Sequence, residues 1–214
     1  MRVIAIDGPA GSGKSTVAKA LAARLGLDYL DTGAMYRSVT FAAIRRGIDP
    51  ADADKVARVA ADVVIDLASD SVVVDGTDAT AAIRGPEVSR AVSIVAANPR
   101  VRAEMVRRQR DWASARAGGV LEGRDIGTVV FPDAELKVYL TADPAVRAQR
   151  RAMEVADLDY ETVASDLARR DALDSGRDVS PLAEAPDAFT IDTSGRTVEE
   201  IIDVIAARLG AADV

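Results

Sequence analysis

The sequence predicts an α/β protein: a five-stranded parallel sheet flanked by helices, with a small antiparallel β insert and a helical lid. Three observations carry this. Short apolar runs rich in β-branched residues alternate with helix-spaced apolar residues along most of the chain. A glycine-rich stretch joins the first such run to the first helix. The texture changes near residue 62, to close-set short strands, and near residue 143, to two arginine-rich helices. The 214 residues are expected to form one domain, with a core over 1–61, 86–142 and 178–214, an insert at about 62–85 and a lid at about 143–177.

Val3-Ile4-Ala5-Ile6 reads as a buried parallel strand. Gly8-Pro9-Ala10-Gly11-Ser12-Gly13-Lys14-Ser15 then fits G-x-x-x-x-G-K-[ST]. Glycines let the backbone curl so that its N–H groups point inward at a polyphosphate. The next helix adds unpaired N–H groups and the positive end of its dipole. Lys14 can reach the β- and γ-phosphates, and the Ser15 hydroxyl can ligate Mg²⁺. Val17, Leu21 and Leu25, with Ala18 and Ala22, have helix spacing, and Gly26 is placed to end that helix. Strand, loop and helix in this order mark a nucleotide-phosphate site.

Leu27 to Asp31 predicts the second strand, and Thr32 to Gly47 a helix with Tyr36 and Arg37 in its first turns. Asp49-Pro50 breaks the chain, and a helix from Asp52 buries Val56, Val59, Ala60 and Val63. In the insert, Val63 to Leu67, Val72 to Val74 and Thr77 to Ile83 predict two or three strands, joined by tight turns at Ser69-Asp70 and Asp75-Gly76. Pro86 opens a helix, and Asn98-Pro99 starts another that carries Arg100, Arg102, Arg107, Arg108 and Arg110. Most of these arginines are expected on a solvated face, with one or two turned inward. Gly118-Gly119 is expected to end that helix. Val120-Leu121-Glu122 is the third core strand and delivers Gly123-Arg124-Asp125-Ile126-Gly127 at its carboxyl end, where ligands sit in parallel sheets. Leu136 to Leu140 and Ala188 to Asp192 are the fourth and fifth strands. Between them, a helix from Asp143-Pro144 and another from about Glu161 flank a polar stretch. Thr197 to Glu200 caps a last helix with Ile201, Ile202 and Ile205 buried.

The chain has no cysteine and no histidine, so disulfides, thiol nucleophiles and imidazole bases are excluded. Chemistry must run on carboxylates, lysine, arginine, hydroxyls and a hard metal, as phosphoryl transfer does. A net charge of −7 argues against a nucleic-acid-coating surface. No apolar run approaches the ~20 residues that span a membrane. The N-terminus runs directly into the first strand, and a cytoplasmic protein is expected. The basic residues are nearly all arginine, the planar bidentate binder of phosphate. The loop alone fits small-molecule kinases, GTPases and ATPase motors alike. A GTPase-like switch would carry an N-K-x-D run, and none occurs.

Three further motifs narrow this: Asp31-Thr32-Gly33-Ala34-Met35-Tyr36-Arg37, Glu122 through Pro132, and Asp171 through Arg177 to Pro181-Leu182. Together with the loop they resemble the bacterial cytidylate kinases, P-loop nucleoside monophosphate kinases, over nearly the whole chain. The resemblance implies a P-loop kinase three-layer sandwich. The implied reaction is transfer of the γ-phosphoryl of ATP to CMP or dCMP with Mg²⁺, by a monomer that needs no nucleic acid or membrane. It implies that Arg37, Arg124 and Arg177 hold the acceptor's phosphate and, with Lys14, carry catalysis. Ser93, Arg102 and Asp125 would read cytosine, Tyr36 would pack against the base, and Thr32, Arg170 and Asp174 would meet the sugar hydroxyls. Gly8 to Ser15 with Thr16 would hold ATP, joined by Arg150 from the lid. Ser15 would ligate Mg²⁺. Asp7 either orders a Mg²⁺-bound water or is structural. Taken alone, Arg37 and Arg177 also read as helix-end or surface charges, whereas a strand end brings Arg124 to a cleft. A kinase for another small acceptor, such as another nucleoside monophosphate or shikimate, is the alternative within enzymes.

Overall fold

The computed structural model describes residues 1–68, 70–154 and 159–212. Ser69 of the expected insert turn and 155–158 of the lid's polar stretch lie outside the described residues. The chain forms two compact units, Met1–Tyr29 with Ala113–Val214, and Leu30–Trp112.

The first unit carries the parallel sheet except for the end of one edge strand, which starts at Tyr29 and runs into the second unit. β1 (Arg2–Asp7), β2 (Tyr29–Asp31), β6 (Gly118–Gly123), β7 (Leu136–Thr141) and β8 (Phe189–Asp192) lie in the order β2-β6-β1-β7-β8. The central strand β1 pairs with β6 from Arg2↔Gly118 to Asp7↔Gly123, and with β7 from Ile4↔Leu136 to Asp7↔Tyr139. Ile4, Ile6, Val120, Val138 and Leu140 pack against α1 (Lys14–Leu25) and α8 (Val198–Ala212). The expected Val17 and Leu21 of α1 and Ile201, Ile202 and Ile205 of α8 are all in this core. Gly26 ends α1 in the left-handed conformation (φ +65°). Thr197 and Glu200 satisfy each other's backbone N–H at the start of α8, a capping box. The lid helices are α6 (Pro144–Glu154) and α7 (Tyr160–Ser175).

The second unit holds α2 (Thr32–Arg45), α3 (Ala53–Asp62), α4 (Pro86–Ala97) and α5 (Pro99–Ala115, which runs on to the boundary). Its small antiparallel sheet is β3 (Ile65–Leu67), β4 (Val72–Val74) and β5 (Thr77–Asp78). The expected third insert strand, Thr77 to Ile83, is therefore cut short. Asp78 accepts from the backbone N–H and hydroxyl of Thr80, an aspartate turn that ends the strand. A single 3₁₀ turn, Ala82–Arg84, follows with Ile83 fully buried. The arginines of α5 divide as the sequence reading expects. Arg102 is buried. Arg108 donates to the carbonyls of Ala60, Ala61 and Val63 and so caps the end of α3. Arg100 and Arg107 make surface ion pairs.

One expectation is corrected. Gly118 and Gly119 do not end a helix; α5 stops at Ala115 and the two glycines open β6. Ala117, at φ +56°, makes the reversal instead. The glycines are needed for close approach: at Gly118 (φ +134°) a Cβ would stand 2.0 Å from the Arg2 carbonyl oxygen. Among the described residues no helix is long and apolar enough to cross a membrane.

Gly118→Ala should therefore unfold the register of the two central strands from their first pair. A loss of at least about 2 kcal/mol is expected in urea unfolding. An unchanged midpoint would contradict the packing described.

Candidate active site

In the first unit, β1 ends at Asp7 and the chain turns through Gly8 into the glycine-rich loop. Gly8 (φ +149°) passes so close to β7 that a Cβ would meet the Leu140 carbonyl at 2.1 Å. Gly13, in the left-handed conformation, is the N-cap of α1 and leaves that helix end without a side-chain cap. A helix N-terminus of this kind offers its N–H groups and positive dipole end to an anion. Lys14 is buried, and its Nζ donates to the Pro9 carbonyl at 2.6 Å, as the Ser12 hydroxyl does at 3.0 Å. The lysine is thus folded back onto the loop that precedes it.

The lid is fastened to this loop. Ala10 packs among Ala148, Val163 and Leu167 of α6 and α7. Arg147 donates to the Ala10 carbonyl at 3.1 Å and pairs with Asp171, while Asp171 accepts from the Ala10 N–H at 3.4 Å. Arg150, expected at the donor phosphates, bonds the hydroxyl and carbonyl of Thr193, each at 2.8 Å. Thr193 in turn donates to the Ser12 carbonyl at 3.1 Å. Arg150 therefore stands beside the loop, through a threonine that no motif flagged.

The third strand delivers the predicted Arg124 and Asp125. Arg124 Nε donates to the Asp174 carboxylate at 3.0 Å, and Arg177 Nε donates to the Asp174 carbonyl at 3.2 Å. One buried aspartate of α7 thus gathers two of the three expected acceptor arginines, with Arg170 one turn earlier on the same helix. Asp125 is buried and starts a single π turn, Ile126–Val130, whose first carbonyl takes the N–H groups of Val129 and Val130. Such turns often mark functional sites. Asp7 holds that turn from beneath. Its carboxylate accepts from the N–H of Ile126 at 2.9 Å and of Gly127 at 2.7 Å. Burial pushes the Asp7 carboxyl up to about 6, while the two N–H groups and Lys14 hold it down.

In the second unit, Asp31 caps α2 through the Ala34 N–H at 2.8 Å, and its other oxygen takes Arg37 Nη2 at 2.7 Å. Tyr36, Thr32, Ser93 and Arg102 are all buried. The Arg102 guanidinium lies 5.4 Å from the centre of the Tyr36 ring and donates to the Ala96 carbonyl. Residues expected to read and stack on the base are therefore rigidly packed. The aspartates 31 and 171, Arg84 and Thr193 were missed by sequence reasoning. Asp31 and Asp171 lie inside the motifs already quoted, and Asp31 carried the N-cap signal of an acidic residue opening a helix.

A curled glycine loop between the central parallel strand and an uncapped helix defines a P-loop nucleotide-binding protein. The family model for cytidylate kinase matches residues 4–210. A cytidylate kinase of Mycobacterium avium is 52% identical over 94% of this chain and 92% of its own length. One of Pelotomaculum thermopropionicum is 49% identical over 97% and 96%. Solved structures share the fold: an uncharacterized protein from Eubacterium ventriosum (TM-score 0.56, 14% identity, 98% of this chain and 99% of that one) and a gluconokinase from Sinorhizobium meliloti (TM-score 0.53, 15% identity, 98% and 92%). The chain belongs to the cytidylate kinase family.

The Asp7 titration has a definite sign. Its folded-state value lies above the ordinary 3.8, so its contribution to stability is present below about pH 4 and is lost as the pH rises through about 6. The stability difference between wild type and Asp7→Asn should therefore move toward the variant between these limits, read by urea unfolding. A difference that does not change with pH would contradict it.

Proposed function

We propose that this enzyme transfers the γ-phosphoryl group of ATP to CMP or dCMP, giving ADP and CDP or dCDP, as a cytoplasmic monomer dependent on Mg²⁺. The observation that supports this is the phosphate loop in a chain whose family match runs nearly end to end, with Arg124 and Arg177 gathered by Asp174 in the same unit.

ATP's triphosphate lies along Gly8 to Thr16, with Lys14 released from the Pro9 carbonyl to the β- and γ-phosphates. Arg150 steadies the donor from the lid. The acceptor's phosphate is gripped by Arg37, Arg124 and Arg177, which screen its repulsion from the γ-phosphate and bring the two in line. An ionised phosphate oxygen of CMP attacks the γ-phosphorus, and the bond to the β-phosphate oxygen breaks. The nucleophile is already anionic, so no base is needed, which suits a sequence without histidine. The lid excludes water during this step. Asp125 accepts from the exocyclic amine of cytosine and repels the oxygen that uracil has there. Ser93 and Arg102 complete the reading of the base, Tyr36 packs against it, and Thr32, Arg170 and Asp174 meet the sugar.

Mg²⁺ is usually held by substrate phosphates, water and one or two protein oxygens. The Ser15 hydroxyl would be the protein's oxygen here. Asp7 would meet the ion only through water, since both its oxygens already accept main-chain N–H groups. The ion, when bound, neutralises charge that develops on the transferring phosphates.

A coupled assay over CMP, dCMP, UMP and AMP tests the reading. CMP or dCMP should give the highest kcat/KM; UMP or AMP ahead of CMP by tenfold would overturn it. Lys14→Ala should lower kcat by about 100-fold or more while thermal unfolding stays cooperative. Retained turnover would remove the loop from the mechanism. Asp125→Asn should narrow the preference for CMP over UMP, because an amide can also donate. Unchanged discrimination would show that Asp125 does not read the base.

A further inference from the structure

We propose that Arg84, in the 3₁₀ turn of the insert, is a further ligand of the acceptor's phosphate, held ready beside Arg37 by the shared Asp31. The proposal rests on the acceptor reading of Arg37 given above.

The geometry lies wholly within the second unit. Arg37 Nη2 and Arg84 Nη2 reach the same oxygen of Asp31, at 2.7 and 3.2 Å. The other oxygen is engaged by the Ala34 N–H at the start of α2. Two cations therefore share one carboxylate, next to a helix N-terminus that adds its own positive end. Sharing of this kind also occurs at Glu104, one oxygen of which takes both Arg107 and Arg108, but there Arg107 also meets Asp111. The excess of positive charge around Asp31 is what a phosphate dianion would balance.

Two further observations point to a ligand. Arg37 Nε is buried and has no hydrogen-bond partner among the described residues, and a buried guanidinium donor left so is costly. A Cβ at Gly33 would stand 3.2 Å from Arg37 Nη1, so the absence of a side chain there lets the guanidinium lie against the first turn of α2. Arg84 complements this. Its backbone is fixed by the fully buried Ile83, while half of its side chain is open to solvent. A half-exposed arginine on a fixed turn can shift from aspartate to phosphate without unpacking anything.

The test is binding of CMP and of cytidine, which lacks the phosphate, to the full chain by calorimetry. Arg84→Ala should weaken CMP about tenfold, as for loss of one charge-assisted hydrogen bond, and leave cytidine within twofold. Arg84→Lys, which keeps the charge, should lose less. A CMP loss under twofold, or equal losses for CMP and cytidine, would overturn the proposal; equal losses would mean that Arg84 only braces the insert. Arg37→Ala separates the two levels. If it weakens CMP while Arg84→Ala does not, only the role of Arg84 fails. If neither affects CMP, the acceptor reading of Arg37 fails with it.

Discussion

Guanidinium groups brought close to one another repel, and in this protein aspartates hold them together. Asp31 holds Arg37 and Arg84, Asp174 holds Arg124 and Arg177, and Asp171 holds Arg147. In the first two cases one aspartate serves two arginines. Preorganisation of this kind lowers the cost of ordering at the moment of binding, and it is worth most where water is excluded.

The same economy explains why the enzyme manages without histidine or cysteine. Phosphoryl transfer asks for position and charge rather than a strong base. The main chain supplies much of both: the loop's amides, the uncapped start of α1, and the turn after Asp125. Asp7 ties these together, since it ends β1 at the mouth of the loop and carries the N–H groups of Ile126 and Gly127.

The fold was largely legible because its signals are local. Five apolar strands, the loop motif, and the caps at Gly26 and Thr197 each follow from a few neighbouring residues. The misreadings came where a distant partner decides the outcome. Gly118 looks like a helix terminator until the backbone of Arg2 is placed against it. Thr77 to Ile83 looks like a strand until Asp78 folds back on Thr80. Within the site, the motifs contained Arg37, Arg124 and Arg177 together with Asp31, Asp171 and Asp174, but not which aspartate holds which arginine. Asp31 and Arg84 are 53 positions apart, and Arg150 and Thr193 are 43, separations that no periodicity registers.

The most direct measurement is a crystal structure with CMP bound. The account predicts phosphate oxygens within hydrogen-bonding distance of Arg37, Arg124 and Arg177, with Arg37 still on Asp31 and Arg124 still on Asp174. Phosphate bound elsewhere, with those three guanidinium groups turned to solvent, would contradict it.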